Sequence, residues 1–461
     1  MKYIFVFSTI VLLHISNSVQ AQQTFDPFLD TLEQRTFNYF WKTVDHTTGL
    51  TPDRYPSLTF SSVAAIGFSL TAYGIGAERG YVSREDAAIL VHTTLKNLWT
   101  LPQGNRPKGD AGYKGFFYHF LTFDKGDRFG DGGVDLSSID TGLLMMGVLF
   151  SQSYFDRDAK IEKEIRAYAD SLYRRVQWPW MQTRPPLISM GWYPEKGYHD
   201  LDYGFGGYDE AMFLYLLALG SPTYPIKNDA WTTYTNKFKW VNKYGYDCIE
   251  HDVLFWNQFT ACWIDFQGIQ DAWIKEKGID YVEVFRRATY ANRAYAIENP
   301  KKFKGYSSLL WGISACDGPA DEKRIIDGIE IRFVGYGARG FSSHYYLDDG
   351  TLTPYAPGAS VAFTPEISIP TLKAMRNQIP GLWTEYGFKD AFNLTYITDK
   401  TPDGWVDKDY LGIDQGPMLI MIENYRSGLV WKTMKKNPYI VNGLKHAGFT
   451  DGWLETGKGK K

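Results

Sequence analysis

Cysteine is scarce in this 461-residue chain, which contains only Cys248, Cys262 and Cys316. The three lie far apart and form no C-x-x-C spacing, so the sequence indicates neither a structural zinc site nor a dithiol redox centre. Two arrangements remain open, one disulfide with a spare thiol or three buried free thiols.

The sequence also lacks an excess of charge of one sign. Its 49 Lys and Arg residues nearly balance 52 Asp and Glu residues, giving a formal net charge of −3. This balance provides no long-range field toward nucleic acid or an anionic membrane, so we expect neither as a partner. Beyond the N-terminal region, no apolar run approaches the 18 residues that a membrane-spanning helix needs.

Several catalytic signatures are missing as well. The chain has no dinucleotide-type glycine fingerprint, no H-E-x-x-H and no G-x-S-x-G. The acidic stretch 124–135 lacks the order of acids, central glycine and closing glutamate of an EF-hand, so we interpret it as a solvated loop. We therefore expect no cofactor and no metal.

The N-terminus carries the three parts of a secretory signal. Lys2 is a short basic region, residues 4–15 are mostly apolar, and Val19 and Ala21 are the small residues of a cleavage site. We expect residues 1–21 to be a signal peptide cut after Ala21, and the mature protein to be periplasmic or secreted.

Aromatic residues, by contrast, are abundant. The chain has 15 Trp, 32 Tyr and 29 Phe, or 16% of all residues. A large core accounts for many of them. The Trp and Tyr share also suits a protein that stacks rings on flat, uncharged ligands such as sugars.

Hydrophobic periodicity is helical along most of the chain. Segments that are apolar all round alternate with amphipathic ones, and the alternation repeats about six times. The predicted helices are 28–44, 59–78, 83–99, 135–155, 157–176, 209–219, 228–243, 257–268, 280–298, 361–375, 384–393 and 416–425. Apolar helices must be buried and amphipathic helices must lie on a surface.

This alternation predicts an all-α fold, an (α/α)6 toroid with six inner and six outer helices; an irregular helical bundle is the alternative. Short hairpins are expected only near 115–123 and 328–347, on one rim. No Pro/Ser linker is present, so we expect one domain over residues 22–461.

Acidic residues recur where the apolar helices begin. Asp135, Asp140, Asp209, Glu210 and Glu366 occupy such positions, and Asp414 opens a further segment of this kind. Each of them singly is explained by helix capping or by the helix dipole. Five acids on buried helices are harder to explain in this way, because buried charges are expensive. If alternate helices point the same way, these carboxylates meet at a shared cavity.

Four long strings give the chain a family resemblance. They are VDLSSIDTGLL (134–144), GYDEAMFLYLLALGSP (207–222), APGASVAFTPE (356–366) and LGIDQGPMLIMIENYRSG (411–428). In this order they resemble the bacterial glucoamylase-like domain family, over essentially all of residues 25–450. The family's characterised members include endo-β-1,2-glucanases. The resemblance implies an (α/α)6 toroid and inverting hydrolysis of β-1,2-glucan, with carboxylates at Asp135, Asp140 and Glu210 in the cleft.

Glycoside hydrolysis needs one carboxylic acid and one carboxylate. Glu210, beside Asp209 and close to Tyr208, best meets the needs of an acid that stays protonated. Asp140 or Asp135 then serves as the base or holds the water, and the sequence leaves their order open. Because the acids come from different inner helices, we expect a wide carboxyl separation and inversion.

Rim segments supply the expected substrate contacts, His119, Trp192, Tyr208, Trp256, His344 and Gln415. The expected partner is a neutral β-1,2-glucan polysaccharide or oligosaccharide, cleaved in endo fashion, and the protein is expected to be a monomer. Two alternatives remain: a polysaccharide lyase using His344, Tyr345 and Arg339, and a glycan-binding protein without catalysis.

Overall fold

The computed structural model describes residues 25–130, 132–198 and 204–455. The predicted signal peptide, residues 1–21, lies outside the described residues. The α-helices of the described ranges are α1 Pro27–Thr43, α2 Val63–Arg79, α3 Arg84–Thr100, α4 Ser138–Tyr154, α5 Lys160–Arg174, α6 Met212–Gly220, α7 Asp229–Thr235, α8 Phe259–Trp263, α9 Ala272–Lys275, α10 Tyr281–Glu298, α11 Tyr355–Gly358, α12 Pro365–Gln378, α13 Gly412–Arg426, α14 Leu429–Met434 and α15 Pro438–His446. Short 3-10 helices span Trp178–Met181, Leu254–Asn257 and Gly452–Leu454.

Strands are short and form small antiparallel sheets. They are β1 Arg54–Tyr55, β2 Ser61–Ser62, β3 Gly112–Tyr113, β4 Phe116–Tyr118, β5 Phe120–Leu121, β6 Leu136–Ser137, β7 Gly191–Tyr193, β8 Gly197–Tyr198, β9 Trp240–Lys243, β10 Tyr246–Ile249, β11 Ala315–Cys316, β12 Glu322–Ile326, β13 Ile329–Phe333, β14 Gly337–Ala338, β15 Gly340–Phe341, β16 Tyr346–Leu347, β17 Trp383–Thr384, β18 Gly387–Phe388, β19 Phe392–Asn393, β20 Trp405–Val406 and β21 Tyr410–Leu411. The largest sheet of the described residues has the order β3-β4-β6-β7-β8, and the others have two strands. The prediction of a helix-rich fold with short hairpins is confirmed.

The apolar helices form the centre of the molecule. Helices α2 and α4 are buried along almost their whole length, and α6 is buried at every position. Helix α2 packs on α4 and α13, while α4 also packs on α6. The amphipathic α3 and α5 pack on each other and cover α2 and α4 from outside. Burial therefore follows the sequence pattern.

Two glycines permit the closest helix crossing. A Cβ built on Gly147 of α4 would lie 2.0 Å from the Gly67 carbonyl oxygen, and one on Gly67 of α2 would lie 2.3 Å from the Leu143 oxygen. Both neighbours are backbone atoms that a rotamer change cannot move. The small residues of these apolar segments therefore set how closely α2 and α4 approach.

Three predicted helices are wrong in part or whole. The segment 257–268 is α-helical only over Phe259–Trp263, because the chain turns to an extended conformation at Ile264. The segment 228–243 is helical only to Thr235, because Tyr244 and Gly245, with φ of 50° and 85°, form a tight turn that pairs β9 with β10. A turn with two left-handed residues matches the twist of a hairpin. The segment 384–393 contains no helix; β17 and β18 form a hairpin whose Gly387 has a φ of 89°.

Hairpins are also more widespread than predicted. The segment 115–123 holds β4 and β5, but β4 pairs with β3 and β6, and β5 pairs with β2. In the 328–347 segment, β15 and β16 form a hairpin and β13 pairs with the preceding β12. The prediction that hairpins occur only in these two regions is wrong, because strands of two residues also pair elsewhere, in the loops between helices.

All three cysteines are unpaired and buried, which resolves the two arrangements left open by the sequence in favour of free thiols. Burial raises the pKa of each thiol. Among the described residues, no helix combines the length and apolar character needed to cross a bilayer.

Candidate active site

A cavity of about 550 Å³ opens where the apolar helices begin. Its wall includes the residue that caps α2, residues in the first turns of α4 and α13, and residues just before or within α6, α8 and α11. These helix-start residues are Ser62, Ile139, Asp140, Glu210, Phe255, Phe259, Tyr355, Ile413 and Asp414. The sequence placed Asp140 and Glu210 at helix starts, and both line this cavity.

Asp140 lies in the first turn of α4, where it has a capping role and a place in the cavity wall. Its main-chain N–H donates to the Ser137 hydroxyl, which in turn donates to the Asp140 carboxylate. Only 3% of Asp140 is exposed. Burial raises the pKa of Asp140, while His119 and the Ser137 hydroxyl act in the opposite direction. Capping and a chemical role are therefore compatible at this residue.

The His119 ring contacts both Asp135 and Asp140. Its Nε2 lies 3.4 Å from an Asp140 carboxylate oxygen and its Nδ1 lies 3.6 Å from one of Asp135. Burial disfavours the imidazolium, but Asp140 and Asp135 outweigh it and raise the pKa of His119 to about 9. A protonated His119 ring favours the ionised form of Asp140, against the effect of burial on that carboxyl.

Glu210 faces the same cavity just before α6. Burial, followed by the charges of Asp140 and Asp209, raises the pKa of Glu210 to about 8. Asp209 does not line the cavity; its Oδ1 accepts hydrogen bonds from the Ala211 N–H and the Tyr234 hydroxyl, each at 2.9 Å. Asp209 is thus a structural neighbour that helps to keep Glu210 protonated.

Sequence reasoning missed two charged residues of the cavity wall. Asp53 and Arg54 line the cavity, and Arg54 Nε lies 3.1 Å from Asp53 Oδ2. Asp53 directly precedes β1 and Arg54 opens it, in a segment without a periodic signal. Asp414 was recognised at the start of a buried helix; it lines the cavity too, and lies beside Asp390. Burial raises the pKa of both carboxyls. The charge of Asp414 raises the pKa of Asp390 further, whereas the side-chain hydrogen bond with Asp390 lowers that of Asp414, so this pair retains a proton.

A second cavity, of about 300 Å³, is lined by residues 206–208 and 256, which neighbour Glu210 and Phe255 of the first cavity in sequence. Its wall contains Tyr208, Trp256 and His344, three of the predicted contacts. His344 Nε2 lies 3.2 Å from Asp252 Oδ1, and its Nδ1 lies 3.7 Å from Glu250 Oε1. The Tyr208 hydroxyl donates to Asn257, which fixes the ring.

Two other predicted contacts lie elsewhere. The Trp192 ring packs against Tyr113 and Trp180, with centroids 5.5 Å away in each case, in an aromatic cluster on the five-stranded sheet. Gln415 is buried behind the cavity wall, where its Nε2 donates to the Phe388 carbonyl. Neither residue is among the lining of the two cavities.

The residues proposed for the lyase alternative do not assemble into a uronate site. Arg339 is fully buried and forms a bidentate pair with Asp349 through Nε at 2.8 Å and Nη2 at 2.9 Å. Its guanidinium also donates to the Cys316 carbonyl. Because these partners occupy it, Arg339 cannot neutralise an anionic sugar.

Beside the first cavity lies a pocket that could hold a metal ion. Asp317, Asp407 and Asp409 place one carboxylate oxygen each within 4.8 Å of the others. No imidazole or thiol takes part in this group. The pocket shares Arg54 and Tyr336 with the wall of the cavity that contains Glu210.

Comparisons with known proteins agree on one family. A family model described as "Putative glucoamylase" matches residues 202–438. A solved structure named as a putative glucoamylase from Bacteroides fragilis is 30% identical, with a TM-score of 0.79 and coverage of 93% of this chain and 97% of that one.

Two similar proteins have more specific names. An endo-β-1,2-glucanase from Chitinophaga pinensis, solved with sophorotriose and glucose, is 27% identical with a TM-score of 0.79, covering 92% of this chain and 98% of that one. A curated protein from Parabacteroides distasonis, an exo β-1,2-glucooligosaccharide sophorohydrolase acting at the non-reducing end, is 27% identical over 92% of this chain. This chain spans 58% of that protein's length.

Proposed function

The chain belongs to the family whose model is described as "Putative glucoamylase", and from this premise we propose that it is a glycoside hydrolase that cleaves β-1,2-glucan. The observation that carries the proposal is one cavity wall that holds both Glu210, whose pKa burial and two neighbouring acids raise to about 8, and Asp140, whose carboxylate lies 3.4 Å from His119 Nε2. The substrate class rests on the names of the Chitinophaga pinensis and Parabacteroides distasonis relatives.

The proposed architecture is a single (α/α)6 toroid over residues 22–461. It is supported by the six apolar helices α2, α4, α6, α8, α11 and α13, whose N-terminal ends all contribute to one cavity. The inner ring is also supported by the successive packing of α13 on α2, α2 on α4 and α4 on α6. Such a ring presents its helix starts to a common cleft.

Glu210 is proposed as the general acid. The group that protonates the glycosidic oxygen must hold a proton at the working pH, and a pKa of about 8 meets that need. The physical causes are burial and the two neighbouring carboxylates Asp140 and Asp209. A protonated carboxyl beside an ionised one is the division of labour that glycosidases need.

Asp140 is proposed as the base that activates water, directly or through a chain of waters and hydroxyls. His119 stabilises its ionised form, and Asp135 holds His119 from the other side, at Nδ1. Asp135 is therefore proposed as a positioning residue rather than a base. This assignment of roles goes further than the sequence, which left open whether Asp135 or Asp140 is the base.

Inversion of the anomeric centre is the proposed stereochemistry. Glu210 and Asp140 come from the starts of different helices, α6 and α4, whose axes are separated by about 8–10 Å when packed. Such an origin favours a gap of about 6.5–9.5 Å, which accommodates a water, over the about 5–5.5 Å of retaining enzymes.

Endo cleavage is proposed because a second cavity offers further space for sugars. It contains Tyr208, Trp256 and His344, and two of these residues lie within two positions of Glu210 or Phe255 in the wall of the first cavity. A chain bound across both would be cut away from its ends. The proposed enzyme acts as a monomer, secreted or periplasmic after removal of residues 1–21.

Product analysis on linear β-1,2-glucan tests the proposal. Endo hydrolysis should release a ladder of reducing oligosaccharides from the first minutes. Sophorose alone from the start would instead indicate exo action, as the Parabacteroides distasonis relative is named for. An unsaturated, ultraviolet-absorbing end would indicate a lyase, and binding without products a glycan-binding protein; either result would refute hydrolysis.

A further inference from the structure

We propose that Asp317, Asp407 and Asp409 bind one Ca²⁺ ion in the pocket that adjoins the cleft at Arg54. The pocket has a volume of about 580 Å³, and the three carboxylates reach it from two distant stretches of the chain. The inference is independent of the proposed function, because it concerns a binding site outside the cavity that holds Glu210 and Asp140.

Asp407 is a buried carboxylate with one oxygen free for coordination. Asp407 is 5% exposed and lines the pocket. Its Oδ1 accepts the Asp409 N–H, whereas its Oδ2 has no hydrogen-bond partner among the described residues. A buried carboxylate oxygen without a partner is costly unless it binds a proton or a cation.

The positive side chains that line the pocket do not balance its aspartates. Two cationic side chains, Arg54 and Lys408, line the pocket beside the three aspartates. Arg54 lies 2.6 Å from Asp317 Oδ2, but it also pairs with Asp53, and Lys408 is exposed. The pocket therefore retains excess negative charge, which a divalent cation would neutralise.

All three candidate ligands are carboxylate oxygens. Three carboxylates with no nitrogen or sulfur donor select a hard cation. Ca²⁺ accepts six to eight oxygens in irregular geometry and takes waters for the rest, whereas Mg²⁺ requires near-ideal octahedral geometry. The three oxygens lie within 4.8 Å of one another. This separation allows them to surround one ion, because Ca²⁺–O distances are about 2.3–2.6 Å.

The surrounding backbone indicates what the ion would stabilise. Asp409 Oδ1 accepts the Ser57 N–H, and the Asp317 N–H donates to Asp390. An ion bound by Asp317, Asp407 and Asp409 would thus tie together the loops that carry Arg54 and the connection between β20 and β21. These loops form one wall of the cleft, so the ion should raise the stability of that wall.

Terbium provides a direct probe, since Trp405 lines the same pocket and can sensitise Tb³⁺ luminescence. The mature protein, freed of metal by EDTA, should show Tb³⁺ luminescence that CaCl₂ displaces. CaCl₂ should also raise its Tm, because a ligand that binds only the folded state stabilises it. Trp405→Phe should lose luminescence while keeping the Tm rise.

Asp407→Asn is the decisive variant. Its matched control is Asp403→Asn, at an exposed position just before β20 that does not line the pocket. Asp407→Asn should weaken Tb³⁺ and Ca²⁺ binding by at least about tenfold. Loss of a residue that only supports a metal ligand lowers metal affinity by about 10–100-fold, and loss of the ligand itself should lower it no less. Its Tm without calcium should equal or exceed that of wild type, because a repelling charge is gone. Asp317→Asn is the second variant if Asp407→Asn does not fold.

Three results would overturn the site. The first is wild-type protein that binds neither Tb³⁺ nor Ca²⁺, which would mean that protons alone neutralise the aspartates. The second is unchanged binding in Asp407→Asn and Asp317→Asn. The third is a Tm that responds to Mg²⁺ but not to Ca²⁺, which would contradict the assignment of the ion.

Discussion

His119 Nε2 lies 3.4 Å from Asp140 Oδ2, and this pair sets the electrostatics of the cavity. The carboxylates raise the pKa of His119 to about 9, and the resulting imidazolium opposes the effect of burial on Asp140. Asp140 in turn helps to raise the pKa of Glu210 to about 8. Three side chains from separate segments thus form one coupled proton system.

Glu210→Gln should lower kcat by about 10²–10⁴-fold, the usual value of general acid–base catalysis, because the amide cannot supply a proton. The matched control is Glu366→Gln, a first-turn glutamate of α12 that is partly exposed and bonds Tyr290 instead of lining the cavity. The control should retain wild-type kcat. Near-full activity of Glu210→Gln on linear β-1,2-glucan would reduce Glu210 to a helix-start carboxylate.

The same variant should not lose stability. The folded pKa of Glu210, about 8, exceeds the ordinary value of 4.5, so wild type loses stability as pH rises from about 4.5 to about 8. Glutamine carries no charge to desolvate. The Tm of Glu210→Gln relative to wild type should therefore increase between pH 5 and pH 8; a difference that falls over this range would contradict the raised pKa.

His119→Ala should shift the whole pH profile of kcat/KM toward higher pH. The imidazolium lowers the pKa of both Asp140 and Glu210, so its removal raises both. The acidic limb, where the base ionises, and the alkaline limb, where the acid deprotonates, should move upward together, with a lower maximum. Limbs that stay in place would show that His119 does not couple the two carboxyls.

Trp256→Ala should weaken glucan binding more than folding, because Trp256 is partly exposed on the wall of the second cavity. KM should rise while Tm changes little. The comparison variant is Trp263→Ala, in the core of α8, where Trp263 is fully buried and donates to Thr71. That change should cost roughly 3–5 kcal/mol of folding free energy. Equal losses of Tm would place Trp256 in the core.

Gly147→Ala should destabilise the protein by about 1–3 kcal/mol or more, the usual cost of overpacking, because its Cβ would meet the Gly67 backbone. Gly133→Ala is the control, since a Cβ there meets nothing within 4 Å. Chemical denaturation of the two variants measures the difference. If both behave alike, the α2–α4 crossing is not limited by this glycine pair.

Helix content and the position of the acids were predictable for a physical reason. Apolar runs that continue around a helix have to be buried, and Asp140 and Glu210 stand at the starts of two of them. The hairpins were harder, since a two-residue turn such as Tyr244–Gly245 interrupts a helical pattern through backbone angles, not hydrophobic period.

Long-range partners lay beyond sequence reasoning. His119 contacts Asp140 because β4 pairs with β6, a register that periodicity does not specify. Asp317 and Asp407 are 90 positions apart in a loop-rich region, and no spacing rule joins them. Trp192 and Gln415 lie near rim segments in sequence, but their side chains turn into an aromatic cluster and toward the Phe388 carbonyl.

The most direct test of the account is a proton NMR time course of linear β-1,2-glucan with the wild-type enzyme. A two-carboxylate mechanism in which Glu210 gives the proton and Asp140 activates water should first yield reducing ends as the α-anomer, before mutarotation. Initial accumulation of the β-anomer would indicate a covalent glycosyl-enzyme and contradict the assignment of Glu210 and Asp140 as an inverting pair.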